Sequence, residues 1–280
     1  MNDKIDLKTK MMRYMSAEEL AFSTIDSYSK TYNKLKYEVG ELENRGNYFW
    51  TDYLASIPNP VYRNNVRSVI LKVCRDVLGE NLKLPIVNRP FILQPIYSIE
   101  EVSKIFARIK NPKHYAIACL LFTESMRINE ILSIKLSDCL KKEGAVILRN
   151  TKTNKDYKKY LDKTTIEAIH KYLVWAKSRN QYPKVRLFEG WGSERYSATS
   201  VRMFMKKAMR LAGVEIKGSC HIFRRSASVW KIENDWTANH IAASLNNSVK
   251  TVNKYYAYAR PEYLQALQKP VPSPLNQIPC

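Results

Sequence analysis

The sequence predicts a mainly α-helical protein with a small β-hairpin or sheet, built as an N-terminal helical domain followed by a mixed α/β domain. Three observations predict this fold class. Apolar residues recur at helical spacing through most of the chain, a stretch with three prolines interrupts this spacing at 79–95, and a β-branched run replaces it at 145–148. With 280 residues, of which 45% are hydrophobic, the chain is long enough to bury two modest cores.

The first 78 residues predict a small group of helices. Ser16 and Glu19 have the spacing of a capping box, and an apolar-periodic run follows at 20–35. An aromatic-rich segment at 48–57 and a third apolar run at 61–78 follow, with two prolines between them. We therefore expect a helical domain here, with its first helix beginning near Ser16.

A connector without helical period spans 79–95 and contains three prolines. Such a segment is typical of the boundary between two compact units. We therefore predict a helical domain at 1–90, a linker at 91–96 and a second domain at 97–280.

The second domain opens with helical patterns. Ser98 and Glu101 form a second predicted capping box, for a helix that runs to Ile109, and 115–124 predicts a buried apolar helix. A further helix is expected around Arg127 and Glu130, which are one turn apart and so share a face.

The period then changes from helical to extended. Residues 145–148 are β-branched or aliphatic, 150–155 are polar and turn-like, and 156–161 alternate weakly, which predicts a β-hairpin with Lys152 at its tip. Helical patterns return at 165–178 and at 198–212, the latter followed by Gly213 as a C-terminal cap.

The charge of the chain predicts a polyanionic partner. The formal net charge is +20, from 46 Lys and Arg against 26 Asp and Glu. Nucleic acid is the leading partner for such a field, with simple solubility or an anionic membrane surface as alternatives. No apolar run approaches the roughly 20 residues of a spanning helix, and no signal peptide is apparent, so we expect a cytoplasmic protein without membrane contact.

Cysteine and histidine spacing predicts neither a metal site nor disulfides. The five cysteines are widely spread and never form a C-x-x-C pair, and the four histidines show no paired-ligand spacing. We expect reduced thiols, no cofactor and no metal, with Cys74 and Cys119 as small buried hydrophobes.

The stretch 219–260 contains the most informative residues. His221 and Arg224 lie three residues apart on one predicted helix, and tyrosines end a later helical run. The segments TESMRINEILSIKLSD, TKTNKDYKKYL and HIFRRSA, followed by a late tyrosine, resemble in their order and spacing the motifs of the tyrosine recombinase (phage integrase) family. The basic chain looks more like integrases of archaeal viruses and plasmids than like bacterial Xer proteins.

This resemblance implies an N-terminal core-binding domain that clamps DNA and a tyrosine-recombinase catalytic domain. It implies that Arg127 and Arg224 bind the non-bridging oxygens of the scissile phosphate, for which a planar guanidinium is suited. It further implies that Lys152 protonates the departing 5′ oxygen, that His221 contacts the phosphate or shuttles the proton of the nucleophile, and that Glu130 orients the site. The product of attack in this family is a 3′-phosphotyrosyl link to DNA, formed without metal or ATP.

Three tyrosines compete for the role of nucleophile. The family pattern L-G-H-S-x-x-x-T-T-x-x-Y, laid on 244–255, aligns Thr251 with its first threonine and Tyr255 with its tyrosine. Tyr256 is the reserve candidate, and Tyr258 comes third.

The same alignment shows departures from the family pattern. Leu245 stands where glycine is expected, Asn246 where the family has His or Trp, and Arg225 where a second His often follows the arginine. An asparagine at 246 can donate a hydrogen bond to a phosphate oxygen, but it cannot donate a proton as an imidazolium does.

The sequence thus predicts a site-specific recombinase, an integrase of a viral or plasmid genome. Its expected partner is double-stranded DNA at attachment sites, bound by a homotetramer that is a monomer or dimer when free. Two alternatives stay open: DNA relaxation as in type IB topoisomerases, and a non-catalytic DNA-binding protein of the same fold. Each site residue also has a structural alternative, such as a surface ion pair for Arg127 and Glu130, a solvated turn for Lys152 and a packed aromatic for Tyr255.

Overall fold

The computed structural model describes residues 5–88, 95–149, 156–190 and 195–253. The chain divides between Ile92 and Leu93 into two compact units. As the sequence predicts, the fold is mainly helical with one small antiparallel sheet.

The described residues of the first unit form four α-helices in sequence. They are α1 (Leu7–Ala17), α2 (Phe22–Val39), α3 (Gly46–Ser56) and α4 (Pro60–Ile70), the last continuing into a π-helical segment at Leu71–Val77. Their buried faces share one apolar core that includes Trp50 and Cys74. The expected buried position of Cys74 is therefore confirmed.

The predicted capping box at Ser16 is wrong. Ser16 lies inside α1, whose actual cap is Asp6, and Glu19 adopts a left-handed φ of 56° in the turn before α2. The backbone N–H of Glu19 donates to the carbonyl of Ser16 at 3.0 Å, which closes this turn. The S-x-x-E spacing therefore marks the end of one helix and not the start of the next.

The second unit contains the remaining helices and all strands among the described residues. The helices are α5 (Ile99–Ala107), α6 (Pro112–Phe122), α7 (Ile128–Ser133), α8 (Lys163–Ser178), α9 (Ala198–Leu211), α10 (His221–Glu233) and α11 (Ala238–Leu245). The capping box of Ser98 and Glu101 is confirmed, since both of its hydrogen bonds are present at the start of α5. Gly213, with a φ of 64°, follows the end of α9 as predicted.

The sheet has the order β1-β2-β3 and is antiparallel throughout. Its strands are β1 (Cys139–Leu140), β2 (Ala145–Leu148) and β3 (Tyr157–Tyr160), so the predicted hairpin is confirmed and one short strand is added. Val146 pairs with Lys159. Because side chains alternate along a strand, Tyr157 and Lys159 share one face of β3.

The main core of this unit surrounds α6, whose residues 116–121 are all buried, including Cys119 as expected. A separate, smaller apolar cluster joins α10 to α11 and to a helical turn at 249–253. Its buried members are Ile232, Ile241, Ala242, Leu245 and Val252.

In the described part of the chain, no helix combines the length and the apolar character needed to span a bilayer. The described ranges also contain no group of three or more His, Cys, Asp or Glu side chains arranged to hold a metal ion.

Candidate active site

Arg127 and Glu130 form an ion pair at the start of α7. Arg127 is the N-cap residue of this helix and has extended backbone angles, so it precedes the helix that was expected to contain it. Its Nη1 lies 2.6 Å from Glu130 Oε1, and its backbone N–H donates to Oε2 at 2.8 Å. The carboxylate thus holds both the main chain and the guanidinium of Arg127, and this fixes the direction of the guanidinium.

Arg224 comes from α10 and reaches the same carboxylate. Its Nη1 lies 3.8 Å from Glu130 Oε2, and its side chain is 5% exposed. Nη1 donates to the carbonyl of Ser125 at 2.6 Å, and Nη2 donates to the carbonyl of Leu245. These two carbonyls hold the guanidinium plane in one orientation, which is what bidentate binding of a phosphate requires.

The loop between α6 and α7 presents one of those carbonyls. Ser125 has a left-handed φ of 55° and is fully buried. A non-glycine residue in this region is uncommon and costs free energy unless its surroundings hold it. The contact from Arg224 to the Ser125 carbonyl provides such support and joins α10 to the Arg127 loop.

His221 is the first residue of α10, one turn before Arg224. Its side chain remains accessible, and the N-terminal end of a helix favours anions. Desolvation by the surrounding protein and the positive charges of Arg224, Arg225 and Arg127 lower its pKa below the ordinary value. The imidazole is therefore neutral at pH 7, the state in which it can accept a proton.

We expect an NMR titration of the free protein to show this depressed pKa. The resonance absent from the His221→Asn variant should titrate with a midpoint below the ordinary value of about 6.5. A midpoint for His221 at or above that of an unperturbed histidine would contradict the electrostatic account of the site.

Asn247, the residue after the predicted Asn246, contacts Arg127. Asn246 is the C-cap of α11 and adopts left-handed angles of φ 46° and ψ 57°. This turn directs Asn247 toward α7, where its Oδ1 accepts from Arg127 Nη2 at 3.0 Å. The predicted contribution of Asn246 stays a prediction. Asn247 was missed because the alignment with the family pattern placed the His or Trp position on Asn246, one residue earlier.

Two predicted groups lie outside the described residues. Lys152 falls in 150–155, and the candidate nucleophiles Tyr255, Tyr256 and Tyr258 follow residue 253, where the description ends. The described part brings together Arg127, Glu130, His221 and Arg224, which come from α7, its N-cap and α10.

Buried charges lie behind the arginines, and the sequence did not predict them. Lys159 and Lys231 are each 5% exposed, and Lys159 Nζ lies 3.8 Å from Glu124 Oε2. Burial lowers the pKa of Lys159, and burial together with the charge of Lys159 lowers the pKa of Lys231 to about 8. A lysine in an apolar helical pattern, as at position 231, is the only sequence signal of this cluster.

Comparison with known proteins identifies the family. A model of the phage integrase family matches residues 98–262, which is more than half of the chain. The chain belongs to the phage integrase family. Its members are tyrosine recombinases. The matched residues begin at Ser98, the N-cap of α5, and include every predicted site residue.

The chain is also similar to curated relatives in sequence and to solved structures in fold. Tyrosine recombinase XerA of Thermococcus onnurineus is 25% identical over 91% of this chain and 92% of its own length. The XerH site-specific recombinase bound to palindromic difH substrate has a TM-score of 0.71 at 16% identity and covers 96% of this chain and 86% of its own. A lambda integrase dimer bound to a COC′ core site has a TM-score of 0.70 at 13% identity, over 89% and 93%. The narrower resemblance to integrases of archaeal viruses and plasmids stays a prediction.

Proposed function

We propose that this protein is a site-specific DNA recombinase that cuts and rejoins DNA through a 3′-phosphotyrosyl intermediate. The observation that carries the proposal is the pairing of Arg127 and Arg224 around one carboxylate, Glu130, although the two arginines are 97 residues apart in sequence. Ion pairing alone does not require an N-cap arginine and a buried helix arginine to share Glu130. Binding of one phosphate by two guanidinium groups does require both to be held close to the same place, and a shared carboxylate favours this.

The roles follow from the chemistry of each group. Arg127 and Arg224 bind the two non-bridging oxygens and stabilise the charge of the pentavalent transition state. His221, neutral at pH 7, accepts the proton of the attacking tyrosine, whose ordinary pKa near 10 otherwise keeps it protonated. Lys152 donates a proton to the 5′ oxygen as the P–O bond breaks, so the leaving strand ends in a 5′ hydroxyl.

Asn247 takes the place in the site that the family gives to His or Trp. Its amide carbonyl already accepts from Arg127, and its amide N–H groups are donors of the kind that a phosphate oxygen accepts. An uncharged amide supplies a hydrogen bond but no proton. We therefore assign Asn247 to phosphate binding and leave proton transfer to His221 and Lys152.

The position of Asn246 also bears on the choice of nucleophile. A left-handed helix cap is the usual place of glycine, so Asn246 corresponds to the glycine of L-G-H-S. If the family pattern continues from Asn246 without a deletion, its tyrosine falls on Tyr256. Thr251, however, lies beyond the loop, in the helical turn that Ser248 caps. If Thr251 is the first threonine of the family pattern, the tyrosine of the pattern, four residues later, is Tyr255. We propose Tyr255, with a loop one residue shorter than the pattern.

A two-site plasmid assay tests the proposed reaction. We define the selected site as a duplex sequence that the protein itself enriches from a random pool, and place two copies on a supercoiled plasmid. Strand exchange as a homotetramer predicts deletion or inversion of the intervening DNA. Relaxation without rearrangement would instead indicate a topoisomerase-like activity, and binding without either product would indicate a non-catalytic protein.

The net charge of +20 predicts a strong salt dependence of DNA binding. We expect the logarithm of the binding constant to fall by roughly 0.9 per neutralised phosphate for each tenfold increase in salt. Fluorescence anisotropy with a labelled duplex between low and physiological salt measures this slope. A flat response would contradict the assignment of DNA as the partner.

A further inference from the structure

The last described helix is attached to the rest of the second unit through little apolar surface. α11 and the turn at 249–253 pack on the small cluster of Ile232, Ile241, Leu245 and Val252, which is separate from the main core. Residue 253 leads directly to the tyrosines. The position of this segment relative to the arginines therefore depends on polar contacts as well.

Four side chains from β3 and α10 donate to the C-terminal end of α11. Tyr157 Oη donates to the carbonyl of Ala243 at 2.8 Å, and Lys159 Nζ donates to the carbonyl of Ser244 at 2.8 Å. The other two contacts are from Lys231 Nζ to Ser244 Oγ at 3.1 Å and from Arg224 Nη2 to the Leu245 carbonyl. The last carbonyls of a helix have no partners within the helix, and positive charges are favourable there.

The two lysines of this group are unusual in their burial. Lysine is almost never fully buried unless it is paired, because removing its charge from water is costly. Here Lys159 faces Glu124, whose Oε1 in turn accepts from the backbone N–H of Asp162 at 2.7 Å, and Lys231 donates to Ser125 Oγ at 3.1 Å. Lys159 thus joins β3 to the end of α11, and Lys231 joins the loop between α6 and α7 to the end of α11.

We propose that Lys159 and Lys231 are positioning residues, which hold the end of α11 so that the segment after residue 253 presents its tyrosine to the phosphate bound by Arg127 and Arg224. This inference rests on the proposed function. It also relates the two proposed catalytic groups outside the described residues: β3 follows Lys152 in the chain, and Lys159 on β3 contacts α11, which precedes Tyr255 in the chain.

Lysine-to-methionine variants test the proposal, because methionine keeps an unbranched side chain but removes charge and donor. Lys158→Met is the matched control: Lys158 neighbours Lys159 on the opposite face of β3 and pairs with Glu143 at the surface. Hydrogen exchange of the amides at 245–253 measures positioning without DNA. Formation of the covalent adduct on the selected site at saturating protein measures its catalytic consequence.

We expect Lys159→Met and Lys231→Met to speed exchange at 245–253 while amides of α6 keep their protection, and to slow adduct formation roughly 10- to 100-fold, as a misplaced reacting group does. Lys159→Arg should restore most of the rate. The double variant Glu124→Gln/Lys159→Met should stay slow, since the defect lies in the lost donor and not in an unpaired Glu124. Lys158→Met should match wild type in both measurements.

Three results would overturn the proposal: unchanged exchange at 245–253, faster exchange throughout the second unit, or faster local exchange with an unchanged rate. The first shows that the lysines do not hold α11, the second that they serve general stability, and the third that their positioning has no catalytic role. If wild type itself forms no adduct, the proposed function fails, and the exchange data alone then decide whether the lysines hold α11.

Discussion

Replacing Arg224 by alanine is expected to slow the first DNA cleavage by roughly 10²- to 10³-fold, the usual effect of losing one electrostatic donor to a transition state. The variant should also be less stable. Two buried carbonyls, those of Ser125 and Leu245, lose their donor, and each unsatisfied group costs about 1–3 kcal/mol. Single-turnover cleavage of the selected site and thermal unfolding measure the two effects.

Arg127→Ala separates catalysis from stability. The Arg127 side chain is 26% exposed, and among the described residues it donates to the side chains of Glu130 and Asn247, so its removal takes no donor from a described backbone carbonyl. We expect a similar loss of rate with a much smaller change in melting temperature. Arg210→Ala, which removes the same charge from an exposed position on α9, should cleave as wild type does at saturating DNA. If either Arg127→Ala or Arg224→Ala leaves the Tyr255-dependent cleavage rate unchanged, the proposed phosphate site is contradicted.

Replacing Tyr255 by phenylalanine is expected to abolish the covalent adduct, because phenylalanine lacks the oxygen that forms the new bond to phosphorus. DNA binding should be retained, since the loss of one hydroxyl leaves the positive surface unchanged. Adduct formation on a denaturing gel and anisotropy of the same duplex measure the two properties.

Tyr256→Phe is the matched control, with the same chemical change one residue further along the chain. We expect it to form the adduct. The opposite result, an adduct with Tyr255→Phe and none with Tyr256→Phe, would show that the L-G-H-S pattern continues without interruption from Asn246 and that Tyr256 is the nucleophile.

Local sequence patterns predicted much of the fold. The capping box at Ser98 and the β-branched run at 145–148 were sufficient because each element is determined by residues adjacent to it in sequence. The failure at Ser16 has the same origin. Its S-x-x-E spacing is equally compatible with the end of a helix, and only packing of the preceding segment, where Met11 and Met15 are buried, shows that a helix already exists there.

The arginine site was predictable in part. Arg127, Glu130, His221 and Arg224 were selected by motif order, and the structure brings them into one group. Asn247 was missed because the left-handed turn at Asn246 directs the next side chain, that of Asn247, toward Arg127. No sequence pattern predicts that turn, because asparagine can adopt the left-handed conformation and no glycine marks the position.

The buried lysines were beyond prediction for a different reason. Lys159 lies in a basic run, where an exposed side chain is the normal expectation. Its burial depends on Glu124 and on the end of α11, which are 35 and 85 residues distant in sequence. Such a contact is a property of the tertiary structure, and neither charge nor periodicity near residue 159 specifies it.

The most direct test of the central claim is to trap the covalent intermediate with wild-type protein. A selected-site duplex carrying a nick close to the cleavage position releases a short 5′-hydroxyl fragment, which prevents rejoining and lets the intermediate accumulate. We predict a DNA–protein adduct that survives denaturation, with peptide mapping by mass spectrometry locating a 3′-phosphotyrosyl bond in the segment that follows residue 253. The absence of any adduct, on duplexes that the protein binds sequence-specifically and with the nick moved through every position, would contradict the proposal.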